Sequence, residues 1–165
     1  GLCILLAMKL AGAEVLTSDF VESRLEKAKE LGADVVVNSK TGDLSAALRE
    51  FTGEFGADVV VEAVGIPRLL EESLIYAAPG GRIVVLGFNP EPAKIPEVLV
   101  VKKELKIIGS RMNCRKFPQV IEWFEKGLVN PEPLISATYP FEKINDAFKD
   151  ILRDPQKYLK VLITY

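Results

Sequence analysis

The sequence contains no histidine, which removes several common forms of enzyme chemistry. A serine–histidine–aspartate triad, a histidine proton relay and the usual zinc site all need an imidazole. Only two cysteines occur among the 165 residues, Cys3 and Cys114, and they form no CxxC pattern. We therefore expect no histidine-based catalysis and no usual zinc site in this chain, and the sparse cysteines are typical of a reduced, cytoplasmic protein.

The sequence also lacks an excess of charge of either sign and any long hydrophobic run. Its 21 basic and 23 acidic residues give a net charge of −2, which indicates no basic surface for nucleic acid. The longest apolar run, residues 2–8, is too short to cross a bilayer and lacks the basic flank of a signal peptide. We expect a globular chain with one core of ordinary size and with neither a nucleic-acid nor a membrane partner.

Segments with helical and strand patterns alternate along the chain. Strands are predicted at 14–18, 33–38, 57–61, 82–87, 105–110, 134–139 and 159–164. Helices are predicted at 2–11, 21–31, 43–51, 67–78, 97–102, 117–126 and 142–153. The proline and two glycines at 79–81 are predicted to turn the chain into the strand at 82–87. The strands up to residue 87 are largely continuous apolar runs and do not alternate with polar residues, as is typical of strands covered on both faces. The pattern therefore favours an α/β fold with a parallel sheet.

An acidic residue follows the first predicted strand. In a dinucleotide-binding unit, an acid about 20 residues beyond the glycine fingerprint accepts the hydroxyls of the adenosine ribose. Asp19 has this spacing if Gly1 is the last glycine of the fingerprint, and its charge would favour NAD over NADP. Arg24 complicates the choice, because an arginine there can stack on adenine or assist a 2′-phosphate. The alternative is that Asp19 caps the helix that begins near Val21.

Three glycines occupy positions where a cofactor would approach the backbone. Gly1 and the helix that begins at Leu2 would offer free N–H groups to a pyrophosphate, unless Gly1 is simply a chain end. Gly65 and Gly87 each follow an apolar strand, at the edge where open α/β sheets bind ligands. The alternative for both is an ordinary turn glycine.

Further candidates lie near the same strand ends. Glu62 is either a general base or a solvated or hydrogen-bonded strand-end carboxylate, and we favour the second because Glu62 follows an apolar strand and no histidine lies near it. Arg111 follows the strand 105–110, where it would contact a phosphate or an anionic substrate, or be a surface arginine. Cys3 is expected to be a small core residue on the first helix.

Taken in order, these segments resemble the cofactor half of the medium-chain, zinc-type alcohol dehydrogenases over nearly the whole chain. The resemblance rests on GL at 1–2, SDFVESRLEKAKELGAD at 18–34, GADVVVEAVG at 56–65, PGGRIVVLGF at 79–88, LKIIGSR at 105–111 and YPFEKINDAF at 139–148. RMNCRKFP at 111–118 and GLVNPE at 127–132 further resemble the polyol branch of sorbitol, idonate, galactonate and threonine dehydrogenases. The resemblance implies a doubly wound Rossmann-type dinucleotide-binding domain at 1–139. Residues 140–165 would return towards a catalytic domain.

The resemblance also implies an NAD site. At the adenosine end, Asp19 and Arg24 would hold the ribose and adenine, and Gly1 and Leu2 would face the pyrophosphate. The nicotinamide end would be built from segments after three strands, namely Val64, Gly65, Leu86, Gly87, Phe88, Arg111, Met112 and Asn113. Of these, the first two would line the nicotinamide ribose and the next three would meet the carboxamide through backbone groups. The last three would close the site.

The sequence departs from the family pattern at its start. The first strand, the first two fingerprint glycines and the N-terminal domain that carries most zinc ligands and the hydroxyl-binding residue have no counterpart here. We therefore expect a parallel sheet without its first strand, NAD as cofactor, and zinc only in that missing domain. An alcohol or polyol substrate would also be bound through the missing domain. By this resemblance the chain would supply no catalytic acid or base and no metal ligand, and alone it is expected to be inactive.

Two other functions stay open. One is a zinc-free reductase of the quinone or enoyl type, and the other is a non-catalytic, NAD-sensing regulatory domain. The NAD-favouring acid and the polyol-like motifs argue against the first, and the late segment 139–165 argues against the second. The resemblance further implies a homo-oligomer, because family members pair at the strand 105–110, a sheet edge that tends to find a partner.

Overall fold

The computed structural model describes all 165 residues and shows helices alternating with strands. The helices are α1 Leu2–Leu10, α2 Glu22–Glu30, α3 Leu44–Thr52, α4 Pro67–Tyr76, α5 Glu97–Lys102, α6 Phe117–Glu125 and α7 Ile144–Arg153. The strands are β1 Leu16–Asp19, β2 Val35–Asn38, β3 Ala57–Glu62, β4 Ala77–Val85, β5 Lys106–Gly109, β6 Ile135–Pro140 and β7 Lys160–Thr164. Short 3-10 helices lie at Glu132–Leu134 and Phe141–Lys143. No helix has both the length and the apolar character that a membrane span needs.

The seven strands form three sheets, ordered β1-β2, β3-β4-β5 and β6-β7. The pairings β3-β4, β4-β5 and β6-β7 are parallel. In the Rossmann order 3-2-1-4-5-6, strand 1 lies between strands 3-2 and strands 4-5-6. The observed sets β1-β2 and β3-β4-β5 are those that this order leaves when strand 1 is missing. The predicted Rossmann-type fold without its first strand is therefore confirmed.

The chain groups into two compact units, one of residues 1 and 37–115 and the other of residues 2–36 and 116–165. In the first unit, the core joins Leu74 of α4 to Ile83 of β4, both fully buried, and to Leu105 before β5. Lys103 supports this core from one side. Its Nζ donates to the carbonyls of residues 74, 75 and 77 at 2.8–3.0 Å, which satisfies the last carbonyls of α4.

Helix ends in the first unit follow the chemistry that the sequence indicates. The Asp43 side chain accepts a hydrogen bond from the backbone N–H of Ala46 at 3.0 Å, and α3 ends at Gly53 in the left-handed conformation. Pro67 occupies the first turn of α4, as predicted. One expectation was wrong in detail, because the 79–81 segment belongs to β4 and is not a turn before it. The strand absorbs it through a register shift opposite β3.

In the second unit, α1, β1 and α2 share a core built around Leu5, Val15 and Ala28. Asp34 supports this core, because its Oδ2 accepts hydrogen bonds from Lys9 Nζ at 2.7 Å and from the Val15 N–H at 2.6 Å. The prediction that Cys3 is a core residue was wrong, since Cys3 is exposed. Helix α1 is apolar on all sides, and periodicity therefore could not identify its buried face.

The C-terminal part of the second unit is the parallel pair β6-β7 with α7. Tyr139 on β6 donates a hydrogen bond to Asp150 Oδ2 at 2.9 Å, and Arg153 donates to the other oxygen of Asp150 at 2.7 Å. Hydrogen bonds with Tyr158 and Asp150 raise the pKa of Tyr139. These contacts fix α7 against β6. The division of the chain at 139/140 into a cofactor domain and a returning segment stays a prediction.

Candidate functional site

The residues predicted for the adenosine end lie in the segment from α1 to α2. Asp19 is the last residue of β1, and its Oδ1 accepts a hydrogen bond from the Val21 N–H at 3.0 Å. The N-cap of α2 is Val21 and receives no side-chain cap. Asp19 therefore closes a turn before the helix and does not cap it in the usual way. Its second oxygen lies 3.8 Å from a guanidinium nitrogen of Arg24, an ion pair that is about one-third exposed.

Gly1 and Leu2 lie at the start of α1. Gly1 is exposed, and Leu2 is the first residue of the helix. The first N–H groups of an α-helix have no partner within the helix, and α1 has no acidic residue in its first turn. The role of Gly1 and Leu2 at a pyrophosphate stays a prediction.

Glu62 organises the residues predicted for the nicotinamide end. It is the last residue of β3 and only 5% exposed. Its Oε1 accepts hydrogen bonds from the N–H groups of Val64 and Gly65, both at 2.8 Å. Its backbone carbonyl accepts from Leu86 at 2.8 Å and from Gly87 at 3.1 Å. The interpretation of Glu62 as a hydrogen-bonded strand-end carboxylate is confirmed, and this one residue ties together the loops that follow β3 and β4.

Gly65 and Gly87 are in direct backbone contact. Gly65 has φ +84°, and a Cβ there would lie 2.9 Å from the backbone nitrogen of Phe88. A Cβ on Gly87 would lie 2.2 Å from both Glu62 Oε2 and the Gly65 nitrogen. Packing and the turn thus require glycine at both positions, which supports the turn interpretation. Their approach to a cofactor stays a prediction.

The segment after β5 meets the segment after β4. The guanidinium carbon of Arg111 lies 4.4 Å from the ring centroid of Phe88, a cation–π contact. Asn113 Oδ1 accepts a hydrogen bond from the Arg115 N–H at 3.1 Å and so closes a tight turn. Four of the predicted residues expose large apolar side chains here, namely Val64, Leu86, Phe88 and Met112. This carboxyl edge of the sheet is therefore apolar, with the Arg111 charge beside it.

Sequence reasoning missed Asn89. Its Nδ2 donates to the carbonyl of Gly65 at 2.8 Å, and its Oδ1 accepts from the Glu91 N–H at 2.9 Å. The available signal was an asparagine followed by proline just after a strand, a combination typical of turns. Sequence alone could not show that the side chain reaches back to the loop after β3.

Two other features bear on chemistry. A cavity of about 390 Å³ lies elsewhere in the first unit and contains none of the predicted site residues; it is lined in part by Ser45, Arg49, Phe55, Tyr76, Pro79 and Lys103. No group of three or more Cys, Asp or Glu side chains is placed to hold a metal ion. The residues present do not fit a zinc site, and no zinc chemistry is assigned to them.

Comparisons of this chain with family models and with curated proteins point to the same family. Residues 1–126 match the model of the zinc-binding dehydrogenase family. The starvation-sensing protein RspB of Escherichia coli K12 is 38% identical over 151 residues, which are 92% of this chain and 44% of RspB. Bovine sorbitol dehydrogenase is 31% identical over 152 residues, 90% of this chain and 43% of that enzyme.

Comparison with solved structures points to the same family. A crystal structure of RspB from Escherichia coli CFT073, described as a short chain alcohol dehydrogenase complexed with NADH, superposes with a TM-score of 0.92 at 36% identity. The match covers 99% of this chain and 49% of that chain. This chain thus spans about half the length of the relatives it matches. With the family model matched over most of its residues, the chain belongs to the zinc-binding dehydrogenase family.

Proposed function

We propose that this chain is the NAD-binding part of a zinc-dependent medium-chain dehydrogenase. The whole protein would oxidise a secondary alcohol of a sugar or polyol by hydride transfer to NAD. The observation that carries the proposal is the Asp19 carboxylate at the carboxyl end of β1, partly exposed and next to Arg24. An acid at this point binds ribose hydroxyls and repels a 2′-phosphate. The NADH complex of RspB supports the cofactor, and the likeness to sorbitol dehydrogenase supports the substrate class.

Within this proposal, each group of residues has one task. Asp19 and Arg24 hold the adenosine ribose and adenine, and the N–H groups at Gly1 and Leu2 face the pyrophosphate. The apolar edge after β3, β4 and β5 receives the nicotinamide ribose and ring, through Val64, Gly65, Leu86, Gly87, Phe88, Arg111, Met112 and Asn113. The chain supplies binding and orientation, and the cofactor supplies the hydride chemistry.

The catalytic zinc and the substrate-binding residues lie outside these 165 residues in this proposal, and the chain alone is inactive. A cytoplasmic location belongs to the same proposal, because both cysteines are free thiols.

Pairing of two copies at β5 is part of the proposed function. β5 is the outer strand of its sheet, and all four of its residues are exposed. The N–H of Ser110 bonds to Val85 on β4, and N–H directions alternate along a strand. The N–H groups of Ile107 and Gly109 therefore point away from β4, towards the open edge. An open edge of this kind can pair with the same edge of a second copy.

The test of the cofactor assignment is a fluorescence titration of the purified protein with NADH and with NADPH. We expect NADH to bind at least about tenfold more tightly, and Asp19→Asn to remove most of that difference because it removes the charge and keeps the turn acceptor. Asp43→Asn is the matched control, since asparagine caps a helix as well as aspartate does. Equal binding of the two cofactors by the unaltered protein would contradict the NAD assignment.

A further inference from the structure

The turn after β3 is held from both sides at a single glycine. The N–H of Gly65 donates to the buried Oε1 of Glu62 at 2.8 Å. The carbonyl of Gly65 accepts from Asn89 Nδ2, also at 2.8 Å. Both polar groups of this glycine are therefore bound by side chains that reach it from different segments, one at the end of β3 and one after β4.

The turn also has no room to move towards its neighbours. A Cβ on Gly87 would lie 2.5 Å from the Gly65 Cα, and a Cβ on Gly65 would lie 3.1 Å from the Phe88 carbonyl oxygen. Such spacing leaves only van der Waals distance between the two loops. A carboxylate removed from water needs hydrogen-bond partners, and the N–H groups of Val64 and Gly65 supply them to Glu62. The position of Gly65 is thus fixed by packing and by directional bonds together.

We infer that Glu62 and Asn89 are positioning residues that set the affinity for the nicotinamide riboside end of the cofactor by fixing the Gly65 turn. The inference rests on the proposed function, in which Val64 and Gly65 line the nicotinamide ribose. Neither side chain needs to touch the cofactor, because Oε1 of Glu62 and Nδ2 of Asn89 are both engaged by backbone groups. Displacement of the turn would then weaken binding at this end and leave the adenosine end unaffected.

The experiment compares NADH with ADP by isothermal titration calorimetry on the purified protein. ADP has the adenosine and both phosphates but neither nicotinamide nor its ribose. We expect Glu62→Met, which keeps the volume and removes both acceptors, to weaken NADH binding at least about tenfold and to change ADP binding less than about twofold. Glu62→Gln retains an acceptor and should restore most of the NADH affinity.

Asn89→Ala provides a second test that does not depend on a buried substitution. Asn89 is exposed, and we expect its loss to weaken NADH binding about threefold to fivefold with ADP binding unchanged. Asn130→Ala is the matched control, because Asn130 also closes a turn by accepting from the N–H two residues ahead, Glu132. This control should leave both ligands unaffected.

The outcomes separate the possible explanations. Equal weakening of NADH and ADP in folded variants would overturn the inference, since it would indicate a general structural role. Unchanged NADH binding in both Asn89→Ala and a folded Glu62→Met would also overturn it. If Glu62→Met fails to fold by circular dichroism, Asn89→Ala alone decides. An unaltered protein that binds neither ligand would instead refute the proposed function, and the inference with it.

Discussion

Replacement of Gly87 by alanine is the most informative single perturbation of this edge of the sheet. The added methyl would lie 2.2 Å from Glu62 Oε2 and from the Gly65 nitrogen, and 2.5 Å from the Gly65 Cα. Two of these three atoms are backbone, and the third belongs to a carboxylate held by two hydrogen bonds. The clash therefore cannot be relieved by rotation of a flexible side chain, and the Gly65 turn has to move.

The magnitude follows from what that movement breaks. Relief of contacts at 2.2 Å needs a shift of roughly 1 Å, which is enough to break the bond between Glu62 and Gly65. Overpacking by one methyl costs about 1–3 kcal/mol, and loss of a hydrogen bond to a charged group costs about 1.5–3 kcal/mol. Because partial relaxation of the two loops reduces both the overpacking cost and the hydrogen-bond cost, we expect a loss of about 2–4 kcal/mol in the free energy of unfolding. For a chain of this size that loss lowers the melting temperature by roughly 5–15 °C.

The assay is urea denaturation followed by circular dichroism, with an NADH titration on the same samples. Gly109→Ala is the control, because Gly109 ends the neighbouring strand, has no positive φ, and has open space within 4 Å of the point where the alanine methyl would lie. We expect this control to change stability by less than about 1 kcal/mol. If Gly87→Ala is as stable as Gly109→Ala and binds NADH equally well, the reasoning from close contact between the loops after β3 and β4 is refuted.

Three further substitutions test other parts of the molecule. Hydrogen bonds from Lys9 and Val15 lower the pKa of Asp34 below its ordinary value of 3.8. The ionised Asp34 side chain therefore stabilises the fold fully above pH 3.8, and this stabilisation is lost as the pH falls through the lowered pKa. Asp34→Asn should therefore be less stable than the unaltered protein at pH 7, with the gap closing below pH 3.8 in urea titrations. Asp43→Ala should cost about 1 kcal/mol in thermal unfolding while Asp43→Asn costs almost nothing. Ile107→Pro, which removes an outward N–H from β5, should give monomers by light scattering, with Ile107→Thr as the paired control; an unchanged mass would refute the β5 pairing.

Most of the fold could be predicted from the sequence, because its local signals are strong. Asp43, Gly53 and Pro67 mark helix ends by their own chemistry, and the apolar strands needed cover on both faces. The two errors, at residues 79–81 and at Cys3, arose because the local sequence pattern does not show how segments distant in sequence pack together. The turn expected at 79–81 is part of β4, since the strand accommodates it opposite β3. Cys3 is exposed because a helix that is apolar all round does not indicate which face packs.

The candidate site shows a deeper limit, which Asp19 and Glu62 make plain. Each carboxylate ends a strand, and the sequence pattern alone does not distinguish which of the two acids binds a ligand. Their surroundings separate them. Glu62 is 5% exposed and directs Oε1 at two backbone N–H groups, so it holds the protein together. Asp19 uses one oxygen for a turn and leaves the other, at 3.8 Å from Arg24 on a side chain 29% exposed, within reach of a ligand hydroxyl. Each acid has one oxygen that no backbone N–H occupies, so burial decides between them. The buried Glu62 is closed to a ligand, whereas the exposed oxygen of Asp19 leaves the proposed ribose contact open to test.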